Sequence, residues 1–161
     1  MMEIFLHNKV DFGLSEIGLK NVVGRILADH GIHHGEVSLA VVDDPTMHEL
    51  NRRHLQHDYP TDVLSFVLAR EDDVLDGEVI VSADTATNTA AEHGWSAEAE
   101  LMLYFVHGCL HLVGYDDRSD EDRLTMRKKE LHYLSLSEIH ATSDYFENHF
   151  ERDLRPEQTS P

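Results

Sequence analysis

The sequence predicts an α+β domain: a small mixed four-stranded sheet packed with about five to six helices. Three observations carry this. β-rich runs and amphipathic stretches follow one another in the order β-α-β-α-β-β-α-α-α. One stretch, Leu101 to Leu110, is apolar on nearly all sides and so predicts a central buried helix. The chain of 161 residues is 41% hydrophobic, enough for a core without disulfide staples.

Each element has its own signal. Met2–Leu6 reads as an N-terminal strand. Leu19, Val23, Ile26 and Leu27 share one helical face, which predicts a helix from Ser15 to a stop at Gly31. Val37–Val42 alternates as a strand does. Asp44 before Pro45 reads as an N-cap and first helical residue of a short helix carrying Met47, Leu50 and His54. Pro60 ends that segment. Asp62–Leu68 and Glu78–Ser82 read as strands, with Asp76-Gly77 as a turn between them. Asp84 is the expected cap of an alanine- and threonine-rich helix ending at Gly94, and Ser96 that of the central helix, which stops at Gly114. Ser119 opens a last helix with Leu124, Leu131 and Leu134. Tyr145, Phe146 and Phe150 predict one further short helix. Residues 1–154 read as a single domain and 155–161 as a disordered tail.

Composition narrows the class. A lone cysteine, Cys109, excludes an intramolecular disulfide framework and fits a reducing, cytoplasmic setting. No stretch reaches the roughly 20 apolar residues of a membrane span. Met1–Val10 has no basic run or small-residue cleavage pattern, so no secretory leader is expected. With 13 Lys and Arg against 31 Asp and Glu, the net charge is −18. Such a surface repels polyanions at long range, so a nucleic acid must meet a local basic patch, a metal or a helper protein, and DNA binding is not expected.

The chemistry concentrates in His107-Gly-Cys-Leu-His111-Leu-Val-Gly114-Tyr115-Asp116-Asp117. Histidines at i and i+4 lie about 40° apart around a helix, so their imidazoles can converge on one ion. Gly114 lets the chain leave the helix and fold back, bringing Asp116 or Asp117 to the same point. Two imidazoles and one carboxylate leave a coordination position open for water, the pattern of a catalytic zinc site. The geometry is zincin-like, but a zincin protease has H-E-x-x-H, and Gly108 stands where that glutamate would be. A peptidase is therefore disfavoured. Cys109 points away from the histidine face and reads as core.

This segment resembles the signature H-G-x-L-H-L-x-G-Y-D-H of the YbeY family, metal-dependent endoribonucleases of ribosomal RNA maturation, and departs only at its last position. Leu50-Asn51, the run Pro60-Thr61-Asp62-Val63-Leu64-Ser65-Phe66, and Gly77-Glu78-Val79-Ile80-Val81-Ser82 resemble further family elements in the same order. The resemblance spans about 50–134. It implies hydrolysis of single-stranded RNA by a metal-activated water, in rRNA maturation and ribosome quality control. Its metal ligands fall on His107, His111 and Asp117, with one zinc ion. The family has histidine at the last of these. A carboxylate lowers the site charge from +2 to +1, acidifies bound water less, and admits a harder divalent metal. Leu55 stands where the family carries an arginine, and Arg52, Arg53, His54 and His57 lie close enough in sequence to supply the lost charge. Asp116 and Asp62 are candidates for the general base, Asp116 alternatively orienting a ligand histidine. Arg52, Arg53 and Ser65 are candidates for binding substrate, Ser65 alternatively making a structural hydrogen bond. Arg123, Arg127, Lys128 and Lys129 form either a second RNA-facing patch or salt bridges to Asp120, Glu121, Asp122 and Glu130.

The expected partners are ribosomal RNA and the small ribosomal subunit, with a basic small-subunit protein among them, and no membrane. The alternative reading is a ribosome-assembly binding protein of the same fold with weak or no catalysis.

Overall fold

The computed structural model describes residues 1–55 and 62–137, residues 54 and 55 by their backbone only. The elements run β1 (Met2–Asn8), α1 (Glu16–Asp29), β2 (His34–Val42), α2 (Asp44–Leu55), β3 (Val63–Glu71), β4 (Val74–Ser82), α3 (Ala83–His93), α4 (Ala97–Leu112) and α5 (Asp120–Ser135). This is the expected order. The expected helix around Tyr145–Phe150 and the tail 155–161 lie outside the described residues, as do Pro60, Thr61 and the side chains of His54, Leu55 and His57.

The sheet has the order β1-β2-β4-β3. β1, β2 and β4 are parallel, and β3 runs antiparallel on the edge beside β4. The sheet is therefore mixed, as the sequence predicts. One sheet face is covered by α1 and α4, whose Val23, Ile26, Phe105, Val106 and Leu110 pack on Val37, Leu39, Val79 and Val81. Full burial of each such side chain contributes roughly 1.5–3 kcal/mol. α2 covers part of the opposite face, where Met47 and Leu50 meet Val42, Leu64 and Ile80.

Three boundaries differ from the sequence reading. The hairpin turns at Asp72 and Asp73, where Asp72 takes φ +50°, and not at Asp76-Gly77. Gly77 lies inside β4 because α4 needs the space: a Cβ there would stand 3.0 Å from a methyl of Leu112. The cap of α2 is Asp43, whose carboxylate accepts from the Thr46 amide, so Asp44 is already the first helical residue. Ser82, not Asp84, caps α3 by accepting from Thr85 N–H. In both cases the side chain that reaches the third amide beyond it is the cap.

Candidate metal centre

α4 begins at Ser96, whose hydroxyl accepts from Ala99 N–H, and carries Glu98 and Glu100 at its positive end. Its glycine at position 108 has a packing reason. A Cβ there would come within 2.5 Å of Val79 and 2.9 Å of Ser65 Oγ. The helix thus lies directly on β3 and β4, and any side chain at 108 would lift the two histidines away from the sheet. Ser65 Oγ donates to the Gly108 carbonyl at 3.2 Å, fastening the same contact.

The exit of α4 aims the third candidate ligand. Gly114 takes φ +108°, open to glycine at no steric cost. Gly114 N–H donates to His111 O and Tyr115 N–H to Leu110 O, a paired closure of the helix end. Tyr115 then anchors the loop to α1. Its hydroxyl donates to His30 Nε2 at 2.8 Å, because His30 Nδ1–H is already given to the Ile26 carbonyl. Asp116 accepts the Asp117 amide and lies 3.5 Å from Arg118 Nε.

The result is a compact triangle. His107 Nε2 and His111 Nε2 are 3.0 Å apart, and Asp117 Oδ2 lies 3.4 Å and 3.5 Å from them. A tetrahedral ion with ligand distances of about 2.0–2.1 Å has ligand–ligand edges of about 3.3–3.4 Å. The three donors therefore fit one four-coordinate divalent ion with a position left over. Among the described residues, this is the cluster of side chains able to hold a metal.

Sequence reasoning missed Glu130. Its carboxylate, only 2% exposed, accepts His107 Nδ1–H at 2.7 Å and also pairs with Arg127 on its other oxygen. That bond fixes the tautomer and turns Nε2 toward His111 and Asp117. Its sequence signal was only an i,i+3 pairing with Arg127 on a charged helix.

The electrostatics follow from the contacts. Burial pulls the His107 pKa down, but the hydrogen bonds and charges of Asp117 and Glu130 outweigh it, leaving it raised at about 9. The His107 hydrogen bond, helped by the nearby charge of His111 and opposed by burial, lowers Asp117 to about 2. Cys109 is fully buried, and desolvation pushes its thiol up to about 12, as expected of a core residue and not of a nucleophile.

A cleft of about 230 Å³ opens beside His107, walled by Asp62, Glu100, Tyr104, Arg127 and Glu130. Asp62 thus shares a cleft with a candidate ligand, while Asp116 is occupied with its own loop. Arg52 and Arg53 are exposed on α2, and Arg52 pairs with Glu49. Ser65 serves the α4 contact. Of the basic run on α5, Arg123 pairs with Asp120, Arg127 with Glu130, and Lys129 stands over the Tyr115 ring.

A buried helix presenting two histidines to a returning carboxylate, on an α+β sheet, forms a candidate metal site of the kind hydrolases use. Comparison with known proteins assigns the family. Residues 7–138 match the family Endoribonuclease YbeY. Endoribonuclease YbeY of Rhodopirellula baltica is 45% identical over 111 residues, covering 68% of this chain and 57% of that protein. The Carboxydothermus hydrogenoformans protein of the same name is 41% identical over 133 residues, 81% of this chain and 92% of that one. The solution structure of TM1509 from Thermotoga maritima shares the fold, with a TM-score of 0.56 at 23% identity over 100% of this chain and 99% of that one. The chain belongs to the endoribonuclease YbeY family, hydrolases that cleave RNA.

Proposed function

We propose that this chain cleaves single-stranded ribosomal RNA at a centre held by His107, His111 and Asp117. The observation that carries the reading is the convergence of their three donor atoms, all within 4.8 Å of one another. A bound divalent ion, zinc or a harder metal admitted by Asp117, supplies Lewis acidity toward a phosphoryl oxygen and acidifies water. The chain's own residues do the rest. Glu130 holds His107 in the ligating tautomer. In this reading Asp62, which shares a cleft with His107, takes the proton of the attacking water. Asp116 holds the Asp117 loop through the Asp117 amide.

The substrate reading extends to ribosome quality control in the cytoplasm, with the small ribosomal subunit and one of its basic proteins as partners. The charge of −18 supports docking on a basic protein. Among the described residues no helix is long and apolar enough to cross a membrane. The same charge favours a second reading, a ribosome-assembly binding protein with weak catalysis.

The test is cleavage of a single-stranded rRNA fragment by metal-loaded protein, beside His111→Ala and Asp62→Asn. Cleavage is expected to vanish in the first and fall at least about hundredfold in the second, the upper range of general-base effects being about 10⁴. Cleavage that persists in His111→Ala contradicts the proposal. No cleavage by the parent chain, together with co-sedimentation on small subunits after metal removal, establishes the second reading.

A further inference from the structure

The loop that delivers Asp117 is held from outside. Asp117 is 42% exposed, and Asp116, which accepts its amide and pairs with Arg118, belongs to the same loop. Arg123 of α5 donates to the Arg118 carbonyl at 3.3 Å, beyond the candidate ligand. Before the ligand the anchor is Tyr115, the one apolar side chain of residues 114–118, which packs against the core. Its hydroxyl reaches His30 Nε2 at 2.8 Å, and the two rings meet edge to face, 5.3 Å apart at 87°. His30 is itself held. It ends α1, and its Nδ1–H donates to the Ile26 carbonyl at 2.6 Å, so both ring nitrogens are used in one orientation. α1 is fixed in turn by Leu19, Val22, Val23, Ile26 and Leu27 in the core. A packed helix thus fixes Tyr115, two residues before a candidate ligand. That matters because a metal site needs its ligands held within about 0.5 Å. A loop ordered beforehand also spares metal binding the entropy of ordering it. The same turn of α1 provides a comparison. Asp29 accepts the Tyr133 hydroxyl at 2.9 Å, a bond of the same kind that leads to α5 and not to the Asp117 loop.

We propose that His30 is a positioning residue of the metal centre, acting through the Tyr115 hydroxyl to set the place of Asp117. This rests on the His107–His111–Asp117 centre proposed above. It brings α1 into the site, through a residue 85 positions from Tyr115 in sequence.

The experiment loads the full chain with cobalt(II), whose visible d–d bands report the geometry of its ligands. Affinity and spectrum are measured for the parent, His30→Ala, His30→Gln, Tyr115→Phe, the double variant His30→Ala/Tyr115→Phe, and Tyr133→Phe. His30→Ala and Tyr115→Phe are each expected to bind cobalt about fivefold more weakly, the worth of one hydrogen bond. Both should alter the position and intensity of the bands, because Asp117 is no longer held in one place. The double variant should be no weaker than either single one, since both remove the same bond. His30→Gln, which offers the hydroxyl an acceptor close to where Nε2 stands, stays within about twofold of the parent. Tyr133→Phe keeps the parent's affinity and bands, with a melting temperature lowered as much as in Tyr115→Phe. Parent-like affinity and bands in both His30→Ala and Tyr115→Phe overturn the proposal. So does an equal change in Tyr133→Phe, which would make the effect a general loosening of the fold. A parent chain that takes up neither cobalt nor zinc overturns the three-ligand centre, and the proposal with it.

Discussion

Glu100 and Glu130 are each 2% exposed, and each walls the same cleft, yet their surroundings diverge. Glu100 accepts the indole N–H of Trp95 and lies 3.6 Å from His93 Nδ1. Glu130 accepts from His107 at 2.7 Å, and the far nitrogen of that ring meets His111 and Asp117. A histidine paired with a buried carboxylate thus occurs in both regions, and in the second it backs a candidate metal centre. What marks the His107 pair is the convergence of His111 and Asp117 on the far nitrogen of its ring.

The comparison can be broken most severely at the metal end. His111→Ala removes one of three donors, and metal content is expected to fall from about one equivalent to near zero by elemental mass spectrometry. Glu130→Gln keeps an acceptor for His107 but loses the charge, so titration calorimetry should show metal binding weakened about 10- to 100-fold. Glu100→Gln should leave that affinity unchanged. Its cost is about 1 kcal/mol of stability, read as a melting temperature about 2–4 °C lower. Equal effects of the two glutamine variants on metal affinity would erase the distinction.

Protons sharpen it further. The His107 pKa, raised from 6.5 to about 9, means that the metal-free fold gains stability from the protonated ring. That contribution is complete below about pH 6.5 and is lost as pH rises through about 9. Asp117, lowered from 3.8 to about 2, contributes above pH 3.8 and ceases to as pH falls through 2. A metal therefore displaces the His107 proton at neutral pH. Calorimetry in buffers of different ionisation enthalpy should count about one proton released per ion bound near pH 7, falling toward zero above about pH 9.

The histidine end was legible in the sequence because its geometry is local. Two histidines four residues apart, a glycine exit and a carboxylate beyond it lie within His107–Asp117, and helix periodicity alone converges them. The buried character of α4 and the order of elements along the chain likewise follow from short-range patterns. Glu130 and Arg127 were not legible as parts of the site. They belong to α5, and only the packing of α5 on α4 carries them to His107. In sequence they are an ordinary i,i+3 pair, indistinguishable from Arg123 and Asp120 one turn earlier. Asp76-Gly77 misled for a related reason. A glycine that looks like a turn was selected by a neighbour in space, Leu112, and the turn fell to Asp72. Arg52 and Arg53 are exposed on α2.

The central claim is that His107, His111 and Asp117 together hold one ion. The most direct measurement is the metal content of protein purified without chelator, beside Asp117→Ala, with both refilled in zinc or manganese. The account predicts about one equivalent in the parent and little or none in the variant. Equal metal content in the two, or none in either after refilling, would contradict it.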